Sequence, residues 1–490
     1  MKVAFIVAET VPYFISGNLD VFVSKMKDLI KKDVDVIILP KNALEGAGNE
    51  RNRYVSLPYY FENLQGNLSG WNGKIIYSSS ITNAVCEIFS DKIVVLEGDN
   101  KEYLLGDNGF VYFANEKHRL SKDNKFLISS RRLTFDGKEY IGGGVVLSYN
   151  GKAKYLLEEF KEDTVIIDTN NLDNYQLEDV DNKDYRFSNV ENCFYPFNEK
   201  RTYDILVRSI KTYFQRIGIR KAVVGLSGGI DSAVVVALGV AALGKENVVG
   251  LLMPSEFSTS HSVTDAEQLA QNLGIEYHTL PIKNVFNAFN DTLKPVFEGT
   301  EFDVTEENIQ ARIRGTLVMS YANKFGAMVL NTSNKSELMV GYGTLYGDLV
   351  GSIGVIGDVF KTEVYRLANY INKVQGNVIP EHILTKAPSA ELRPGQKDQD
   401  ALPDYNVLDK VLISFLVVMD EQKWLTEKDE IAEIMVKRHK ELFNADVSID
   451  TVKHTLKLIF RNSYKGAQVP PKIILGNYPE INLPLLYKLD

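Results

Sequence analysis

The stretch Val223-Val-Gly-Leu-Ser-Gly-Gly-Ile-Asp-Ser-Ala-Val-Val-Val-Ala-Leu-Gly239 places two adjacent glycines and three polar residues between two apolar runs. The first run is short and unbroken, which is typical of a strand buried in a parallel sheet, and the second continues as a helix. In open α/β sheets, ligands bind at the carboxyl ends of such strands. The stretch therefore predicts a strand, a ligand-binding turn and a helix.

The turn between the two runs carries groups suited to phosphate. Gly228 and Gly229 let the backbone approach a ligand closely, and the helix start adds partial positive charge. Ser227 and Ser232 add hydroxyl groups, and Asp231 suits Mg²⁺ better than a direct phosphate contact. The lysine of a P-loop and the spaced glycines of a dinucleotide-binding turn are both absent. We expect a cradle for a pyrophosphate that leaves whole, although a turn without a ligand also accommodates two glycines.

The chain around this turn alternates strand and helix patterns. Unbroken apolar runs predict strands at 222–226, 248–252 and 328–330, and a helical pattern covers 264–273. Strand, helix and strand in this order predict right-handed crossovers and a doubly wound parallel sheet. Residues 405–460 read as helices.

The upstream half has a different pattern and is set apart by the polar, aromatic stretch 182–199. Short β-branched runs predict strands at 3–7, 34–39 and 74–77, with a helical pattern at 20–31. We expect two domains, a sheet-rich α/β domain over 1–190 and the doubly wound domain over 191–490.

Composition excludes several classes of protein. The chain is 44% hydrophobic and 24% charged, as in ordinary globular proteins, and its net charge of -9 argues against a broad nucleic-acid-binding face. No apolar run is long enough to span a bilayer and the N-terminus lacks a signal-peptide pattern, so we expect a cytoplasmic protein. The two cysteines and the scattered histidines favour neither a disulfide framework nor a metal cluster.

Residues 227–232 resemble the signature of the ATP-pyrophosphatase family, which includes GMP, asparagine and NAD synthetases and tRNA-modifying enzymes and cleaves ATP between its α and β phosphates. Further blocks resemble those of NAD⁺ synthetases, in the same order, over about residues 200–475. They are MPSEFS at 253–258, ENIQARIR at 307–314, NTSNKSE at 331–337, GYGTLYGD at 341–348, DVFKT at 358–362, PSAEL at 388–392 and YKGAQVPP at 464–471.

The resemblance implies roles for individual side chains. Contacts with ATP are implied for Gly225, Leu226, Ser227, Gly228, Gly229, Ile230, Asp231, Ser232, Met253, Thr332, Lys361 and Ser389. Contacts with the dinucleotide substrate are implied for Asn308, Arg312, Asp348 and Lys465. Asp231 and Glu337 are implied as ligands of Mg²⁺, and together with Lys361 as the catalytic set. From spacing alone, Arg312 and Arg314 cannot share one helix face, so at least one is free to face the site.

The implied reaction is the ATP-dependent amidation of deamido-NAD⁺ to NAD⁺. Because the nicotinate carboxylate is a poor electrophile, it first attacks the α-phosphate of ATP and forms an acyl adenylate while pyrophosphate leaves. Ammonia then attacks the activated carbonyl, which yields NAD⁺ and AMP. We expect a homodimer or a larger homo-oligomer, with no nucleic-acid or membrane partner.

The N-terminal half resembles a reduced nitrilase-like α/β sandwich, mainly in its first fifty residues. Such domains release ammonia from glutamine with a Glu, Lys and Cys set. Lys41 stands where the acid is expected, Lys117 matches the lysine weakly, and neither Cys86 nor Cys193 stands at the nucleophile's place. We therefore expect a degenerate domain without glutaminase activity, and an enzyme that uses ammonia and does not hydrolyse glutamine.

Two alternatives stay open. One is a glutamine-dependent NAD⁺ synthetase whose glutaminase uses unfamiliar residues or is a separate protein that docks on the N-terminal domain. The other is a non-catalytic nucleotide-binding regulator. The latter has no need to retain the pyrophosphate cradle and both metal ligands, so the presence of Ser227, Asp231, Glu337, Lys361 and Lys465 favours an enzyme.

Overall fold

The chain divides into two compact units, Met1–Pro196 and Phe197–Asp490, in a computed structural model. The structure describes residues 1–10, 15–41, 43–44, 57–79, 84–96, 102–104, 109–114, 118–119, 126–131, 133–135, 140–149, 152–159, 161–179, 187–188, 197–421, 428–476 and 478. No helix in these ranges is both long and apolar enough to cross a lipid bilayer.

The described part of the first unit is rich in sheet. Its helices are α1 (Ile15–Ile30) and α2 (Leu57–Gly66). Its strands are β1 (Lys2–Val7), β2 (Glu9–Thr10), β3 (Val36–Ile38), β4 (Lys74–Ser79), β5 (Ala84–Ile88), β6 (Ile93–Leu96), β7 (Glu102–Leu104), β8 (Gly109–Ala114), β9 (His118–Arg119), β10 (Phe126–Arg131), β11 (Leu133–Phe135), β12 (Tyr140–Gly142), β13 (Val145–Tyr149), β14 (Lys152–Leu157), β15 (Asp163–Asp168), β16 (Glu178–Asp179) and β17 (Phe187–Ser188).

Twelve of the described strands of the first unit form two six-stranded sheets, in the orders β15-β1-β3-β4-β5-β6 and β16-β14-β13-β10-β8-β7, and the others form the smaller sheets β12-β11-β2 and β17-β9. Ala4 and Ile6 of β1 pack in one apolar core with residues of α1 and α2, whereas the alternating Val3, Phe5 and Val7 are equally buried on the opposite face. A strand that is buried on both faces lies inside a layered α/β unit, so the predicted fold class is confirmed here.

The second unit is a doubly wound α/β fold. Its described strands are β18 (Lys221–Gly225), β19 (Val248–Leu252), β20 (Glu276–Thr279), β21 (Ala327–Asn331) and β22 (Ile353–Gly354). The helices are α3 (Glu199–Ile217), α4 (Ile230–Leu243), α5 (Ser260–Leu273), α6 (Lys283–Leu293), α7 (Val304–Phe325), α8 (Lys335–Val340), α9 (Lys361–Gln375), α10 (Glu381–Thr385), α11 (Tyr405–Glu421), α12 (Lys428–Phe443) and α13 (Ile449–Gly466).

All five strands of the second unit are parallel, in the order β20-β19-β18-β21-β22. The order runs outward in both directions from β18, the first strand of the unit in the sequence. Such a reversal is the switch point at which doubly wound sheets bind ligands. The predicted parallel sheet is therefore confirmed, and the glycine turn follows its central strand.

A C-terminal segment, residues 471–476 with Tyr478, is tied to the edge of this sheet. Gly354 of β22 donates its backbone N–H to Pro471 O at 2.8 Å and accepts from Ile473 N at 3.0 Å. Further along, the hydroxyl of Tyr478 donates to Glu363 Oε1 at 2.7 Å, and Phe360 N donates to Glu363 Oε2 at 2.9 Å. The segment is thereby bonded to Glu363 in the first turn of α9.

Glu363 makes the stability of this segment depend on pH. Burial raises the pKa of Glu363 to about 7, against the hydrogen bonds from Tyr478 and Phe360 that lower it. The folded chain therefore binds a proton that the unfolded chain releases at lower pH. The stability that the protonated carboxyl contributes is complete below the unfolded pKa of 4.5 and is lost as the pH rises through about 7.

We expect Glu363→Gln to remove this pH dependence, because glutamine stays neutral and retains an acceptor for Phe360 N. From pH 5 to pH 8, the unsubstituted chain should lose up to about 3 kcal/mol more of its free energy of unfolding than the Glu363→Gln chain does. Urea unfolding at both pH values measures the difference. The exposed Glu433→Gln serves as a control with a constant difference, and a constant difference for Glu363→Gln would contradict the role of this carboxyl.

Candidate functional site

A cavity of about 480 Å³ opens at the carboxyl edge of the parallel sheet in the second unit. It is lined by the turn after β18, by the ends of β19 and β21, and by the first turns of α5, α8 and α9. Helix N-termini carry unpaired N–H groups and partial positive charge. The cavity is therefore suited to an anionic ligand at the switch point of the sheet.

The glycine turn lies on one wall of this cavity and depends on Gly228. Its φ is +76°, and a Cβ atom at this position would lie 2.2 Å from the backbone oxygen of Ser262. Helix α4 then begins without a side-chain cap. The N–H groups of its first turn have no intrahelical partner, which is the arrangement that binds phosphate.

Ser227 and Ser232 also shape the turn. The hydroxyl of Ser227 accepts from Gly229 N at 3.2 Å, and that of Ser232 donates to Gly229 O at 3.0 Å. Ser227 N donates to the Ser232 hydroxyl at 3.3 Å. Both side chains line the cavity, so the hydroxyls predicted to contact a ligand also hold the loop in shape.

Lys361 lies between two carboxylates at the floor of the site. Its ammonium Nζ is 2.5 Å from Asp231 Oδ2 and 3.3 Å from Glu337 Oε1, and its side chain is 4% exposed. Burial acts to lower the pKa of Lys361, but the charges of Asp231 and Glu337 outweigh it and raise the pKa above its usual value. Lys361 is therefore a permanent cation.

The same two carboxylates fit a magnesium ion. Burial raises the pKa of Glu337, while the charge of the neighbouring Lys361 acts to lower it and favours the carboxylate. No group of three or more Asp, Glu, His or Cys residues in the described ranges is arranged to hold a metal. Mg²⁺ takes one or two protein carboxylates and completes its shell with phosphate and water. Asp231 and Glu337, which already converge on one cation, meet that requirement.

Asn334 and Asp398 belong to the site but were not predicted. Asn334 Nδ2 donates to Asp231 Oδ1 at 3.0 Å, while its side-chain oxygen caps α8 by accepting from Glu337 N at 3.0 Å. The Asn-x-x-Glu capping box was a readable signal for this cap. Asp398 is buried, lines the cavity and accepts from the hydroxyl of Tyr405 at 3.0 Å. No local pattern marks Asp398.

The two arginines of α7 have different surroundings. Arg314 lines the cavity and donates from Nε to Met253 O at 3.0 Å, and burial lowers the pKa of Arg314 to about 10. Arg312 is exposed, is not among the lining residues, and donates from Nε to Leu345 O at 3.2 Å. Of the pair, Arg314 is the arginine that faces the cavity.

The remaining residues predicted to contact the dinucleotide meet at the loop 341–348. The hydroxyl of Thr344 donates to Asn308 Oδ1 at 2.7 Å, and Thr344 N donates to Asp348 Oδ1 at 2.9 Å. Lys465 Nζ donates to the carbonyls of Gly341 and Gly343, both at 2.8 Å. Apart from Arg312, every residue predicted for ATP, substrate or metal lines the cavity.

The N-terminal candidates do not form a comparable cluster among the described residues. Cys86 is buried in the core beneath the helices of its unit. Its neighbour Glu87 accepts from Lys74 and, at 2.5 Å, from the hydroxyl of Tyr103. Adjacent residues of a strand point to opposite faces, which separates the Cys86 thiol from this pair. Lys41 is buried, while Lys117 and Cys193 lie outside the described residues.

Comparison with known proteins identifies relatives of both units. Residues 202–466 match the family described as NAD synthase. A glutamine-dependent NAD(+) synthetase of Thermotoga maritima is 43% identical over 303 residues, which are 57% of this chain and 52% of that protein. One of Aquifex aeolicus is 41% identical over 367 residues, 70% of this chain and 60% of that protein. The chain spans about half the length of the curated relatives it matches.

Two solved structures are similar over nearly the whole chain. The glutamine-dependent NAD⁺ synthetase of Acinetobacter baumannii, in complex with ADP, has a TM-score of 0.63 and 26% identity over 96% of both chains. That of Cytophaga hutchinsonii has a TM-score of 0.72 and 15% identity over 99% of this chain and 97% of its own. The second likeness supports the fold alone.

The prediction of an ammonia-dependent enzyme that does not hydrolyse glutamine is wrong. Relatives that are 38 to 44% identical to this chain are named glutamine-dependent. The Aquifex match also covers more of the chain than the second unit contains, so it extends into the first unit. The prediction failed because it relied on matching motif positions, whereas a nucleophile is defined by its surroundings in the fold.

We expect Gly228→Ala to weaken nucleotide binding strongly, because an alanine is strained at this φ and its Cβ would overlap the backbone oxygen of Ser262. A loss of at least about 2 kcal/mol corresponds to roughly thirtyfold weaker binding of Mg-ATP, measured by calorimetry. The control is Gly218→Ala, which has a φ of +73° but nothing within 4 Å of the added Cβ. Equal affinity in the two variants would contradict the role of the turn.

Proposed function

We propose that this chain, which belongs to the NAD synthase family, is a glutamine-dependent NAD⁺ synthetase. It converts deamido-NAD⁺, ATP and an amide nitrogen into NAD⁺, AMP and pyrophosphate. The observation that carries the proposal is the buried Lys361 ammonium between Asp231 and Glu337, beside an uncapped helix start in one anion-binding cavity.

The first half-reaction is the transfer of the adenylyl group. The carboxylate oxygen of the nicotinate ring attacks the α-phosphorus of ATP, and the bond to the bridging oxygen of pyrophosphate breaks. The first turn of α4 binds the departing phosphates through its N–H groups, and Lys361 neutralises the negative charge that develops on them. This chain supplies no covalent intermediate of its own, so its contribution is positioning and charge stabilisation.

Asp231 and Glu337 would hold Mg²⁺ with the phosphates of ATP. When bound, the ion supplies charge neutralisation on the phosphate oxygens. Asn334 orients the carboxylate of Asp231 by donating to Oδ1, and Oδ2 accepts from the ammonium of Lys361. The capping box on α8 fixes Glu337 in the same way.

The second half-reaction forms the amide. Ammonia attacks the carbonyl carbon of the acyl adenylate, and AMP leaves with the electron pair of the broken carbon–oxygen bond. We assign the adenylate to Asn308, Arg314, Asp348 and Lys465, because all four are polar groups that line the cavity, and three of them bond to the loop 341–348. Arg314 is a cation suited to a phosphate of the dinucleotide.

The nitrogen comes from glutamine, hydrolysed by the nitrilase-like first unit to glutamate and ammonia. The names of the relatives and the extension of the Aquifex match into that unit support this source. A separate glutaminase is not needed in this proposal.

The chain works as a homodimer or larger homo-oligomer. The apolar side chains of Phe289, Val296, Phe302 and Val304, around α6 and α7, are exposed, which supports a contact with another copy of the chain.

A two-donor assay tests the proposal. The purified chain is incubated with deamido-NAD⁺, Mg-ATP and either glutamine or ammonium, and NAD⁺, AMP and glutamate are quantified. We expect NAD⁺ and AMP in equal amounts from both donors, with matching glutamate from glutamine. Asp231→Asn should stop NAD⁺ formation from both donors and leave glutamate formation intact. Production of ADP in place of AMP would refute the synthetase, and no turnover with glutamine would refute the nitrogen source.

Lys361→Met should lower kcat by about 10² to 10³ with either donor, because the charge on the leaving pyrophosphate loses its buried cation. The matched control is Lys373→Met, an exposed lysine of the same helix, which should retain full activity. Circular dichroism checks that both variants fold. A loss of less than threefold for Lys361→Met would show that this ammonium does not act on the reaction.

A further inference from the structure

The segment 386–398, here called the strap, follows α10 and forms one side of the cavity. Lys386, Ser389 and Glu391 of the strap are lining residues. On the side of α7, the strap is held by Gln310 Nε2, which donates to Leu392 O at 2.9 Å. On the side of α5 it is held by the side chain of Glu391. The strap therefore joins two helices whose residues line the same cavity.

Glu391 is bound by several donors at the start of α5. Its Oε1 accepts from the Ser262 hydroxyl at 2.6 Å, from the Thr259 hydroxyl at 3.1 Å and from Lys386 Nζ at 3.1 Å. Its Oε2 accepts from the backbone N–H of Thr259 at 3.2 Å. Both carboxylate oxygens are thus in use, and three of the four donors belong to α5 or its cap.

These contacts complete a capping box from a distant part of the chain. Thr259 is the N-cap of α5, and its side chain accepts from Ser262 N. In a capping box, the third helical residue is a Glu or Gln that returns a hydrogen bond to the N-cap N–H. Here that position is Ser262, which is too short, and Glu391 supplies the missing acceptor 132 residues after Thr259.

The first turn of α5 rests directly on the glycine turn. The backbone oxygen of Ser262 occupies the space that a side chain on Gly228 would need, 2.2 Å from the position of its Cβ atom. A shift of Ser262 therefore changes the packing against the phosphate-binding loop. Glu391 contacts Ser262, and Ser262 contacts Gly228, so one chain of contacts joins the strap to the cradle.

The backbone of Glu391 is itself in an unfavourable conformation. Its φ is +50°, a left-handed value that is unfavourable for a residue with a side chain. Such a conformation persists where surrounding contacts over-determine it, as the four hydrogen bonds to the carboxylate do. Glu391 N also donates to the hydroxyl of Ser389 at 3.2 Å, which links Ser389 to the same anchor.

We propose that Glu391 is a positioning residue for ATP: by capping α5 from the strap, it holds Ser262 against Gly228 and Ser389 at the edge of the cavity. The identity of the nucleotide rests on the proposed function. The consequence is that the affinity for ATP depends on Glu391 although its carboxylate is fully engaged with protein donors.

Calorimetric binding of the non-hydrolysable α,β-methylene-ATP with Mg²⁺ to the full chain tests this inference. Glu391→Gln keeps the volume but replaces one acceptor oxygen with an amide NH₂ group, which faces either the N–H of Thr259 or the side-chain donors of Ser262, Thr259 and Lys386. We expect at least about tenfold weaker binding, since the loss of charged hydrogen bonds costs 1.4 kcal/mol or more. The control Glu381→Gln removes the same charge from an exposed position outside the cavity and should bind within twofold of the unsubstituted chain.

A double-variant cycle tests the route through α5. If Glu391 acts through Ser262, then Ser262→Ala weakens binding and the double variant is no weaker than Glu391→Gln alone. Losses that add would overturn the proposed route. Glu391→Gly, which relieves the positive φ, should still bind weakly, because the carboxylate and not the backbone provides the contact. Restored binding in Glu391→Gly would overturn the proposal.

Kinetics separate positioning from chemistry. In Glu391→Gln, the KM for ATP should rise at least about tenfold while kcat at saturating ATP changes less than threefold. An unchanged KM with reduced kcat would overturn the assignment. If the unsubstituted chain binds the analogue but forms no NAD⁺, the proposed function fails and the binding comparison still decides the role of Glu391. If the unsubstituted chain does not bind the analogue, the inference on Glu391 fails.

Discussion

The ion contact of Lys361 with Asp231 and Glu337 is the constraint on which the arrangement of the site depends. The three residues stand in the first turns of α9, α4 and α8, and each helix follows a different strand. A buried charge that loses its partner costs several kcal/mol, so three helix starts are tied to one point. The loops after β18, β21 and β22 therefore surround a single cavity.

The strand order makes this convergence attainable. With β18 central and β21 and β22 on one side, the carboxyl ends of these strands lie side by side. The acids at the starts of α4 and α8 are favoured by the positive ends of both helices, and Lys361 balances their charge. Residues 471–476 and Tyr478 bond to β22 and to the first turn of α9. The site is thus supported through β22 and α9 by residues that do not line the cavity.

The prediction of the nitrogen source shows that matching motif positions is not enough to assign glutaminase activity. Lys41 in place of an acid and the unmatched cysteines indicated a unit without glutaminase activity, yet the relatives are named glutamine-dependent. Among the described residues, strand alternation directs Cys86 into the core, away from Lys74 and Glu87. Motif positions alone therefore do not decide whether the first unit can act on glutamine, because the reactivity of a nucleophile depends on its surroundings.

Signals that act over a few residues could be read from the sequence. The run before Gly225, the paired glycines and the order of strand and helix patterns were enough to predict the parallel sheet and the position of its ligand site, because backbone conformation and burial act locally.

The tertiary structure decided which distant groups meet. Asn334 could be read as a cap of α8, but its bond to Asp231 depends on the adjacency of β18 and β21. Helical spacing established that Arg312 and Arg314 face different ways, and only the packing of α7 against the sheet turned Arg314 inward.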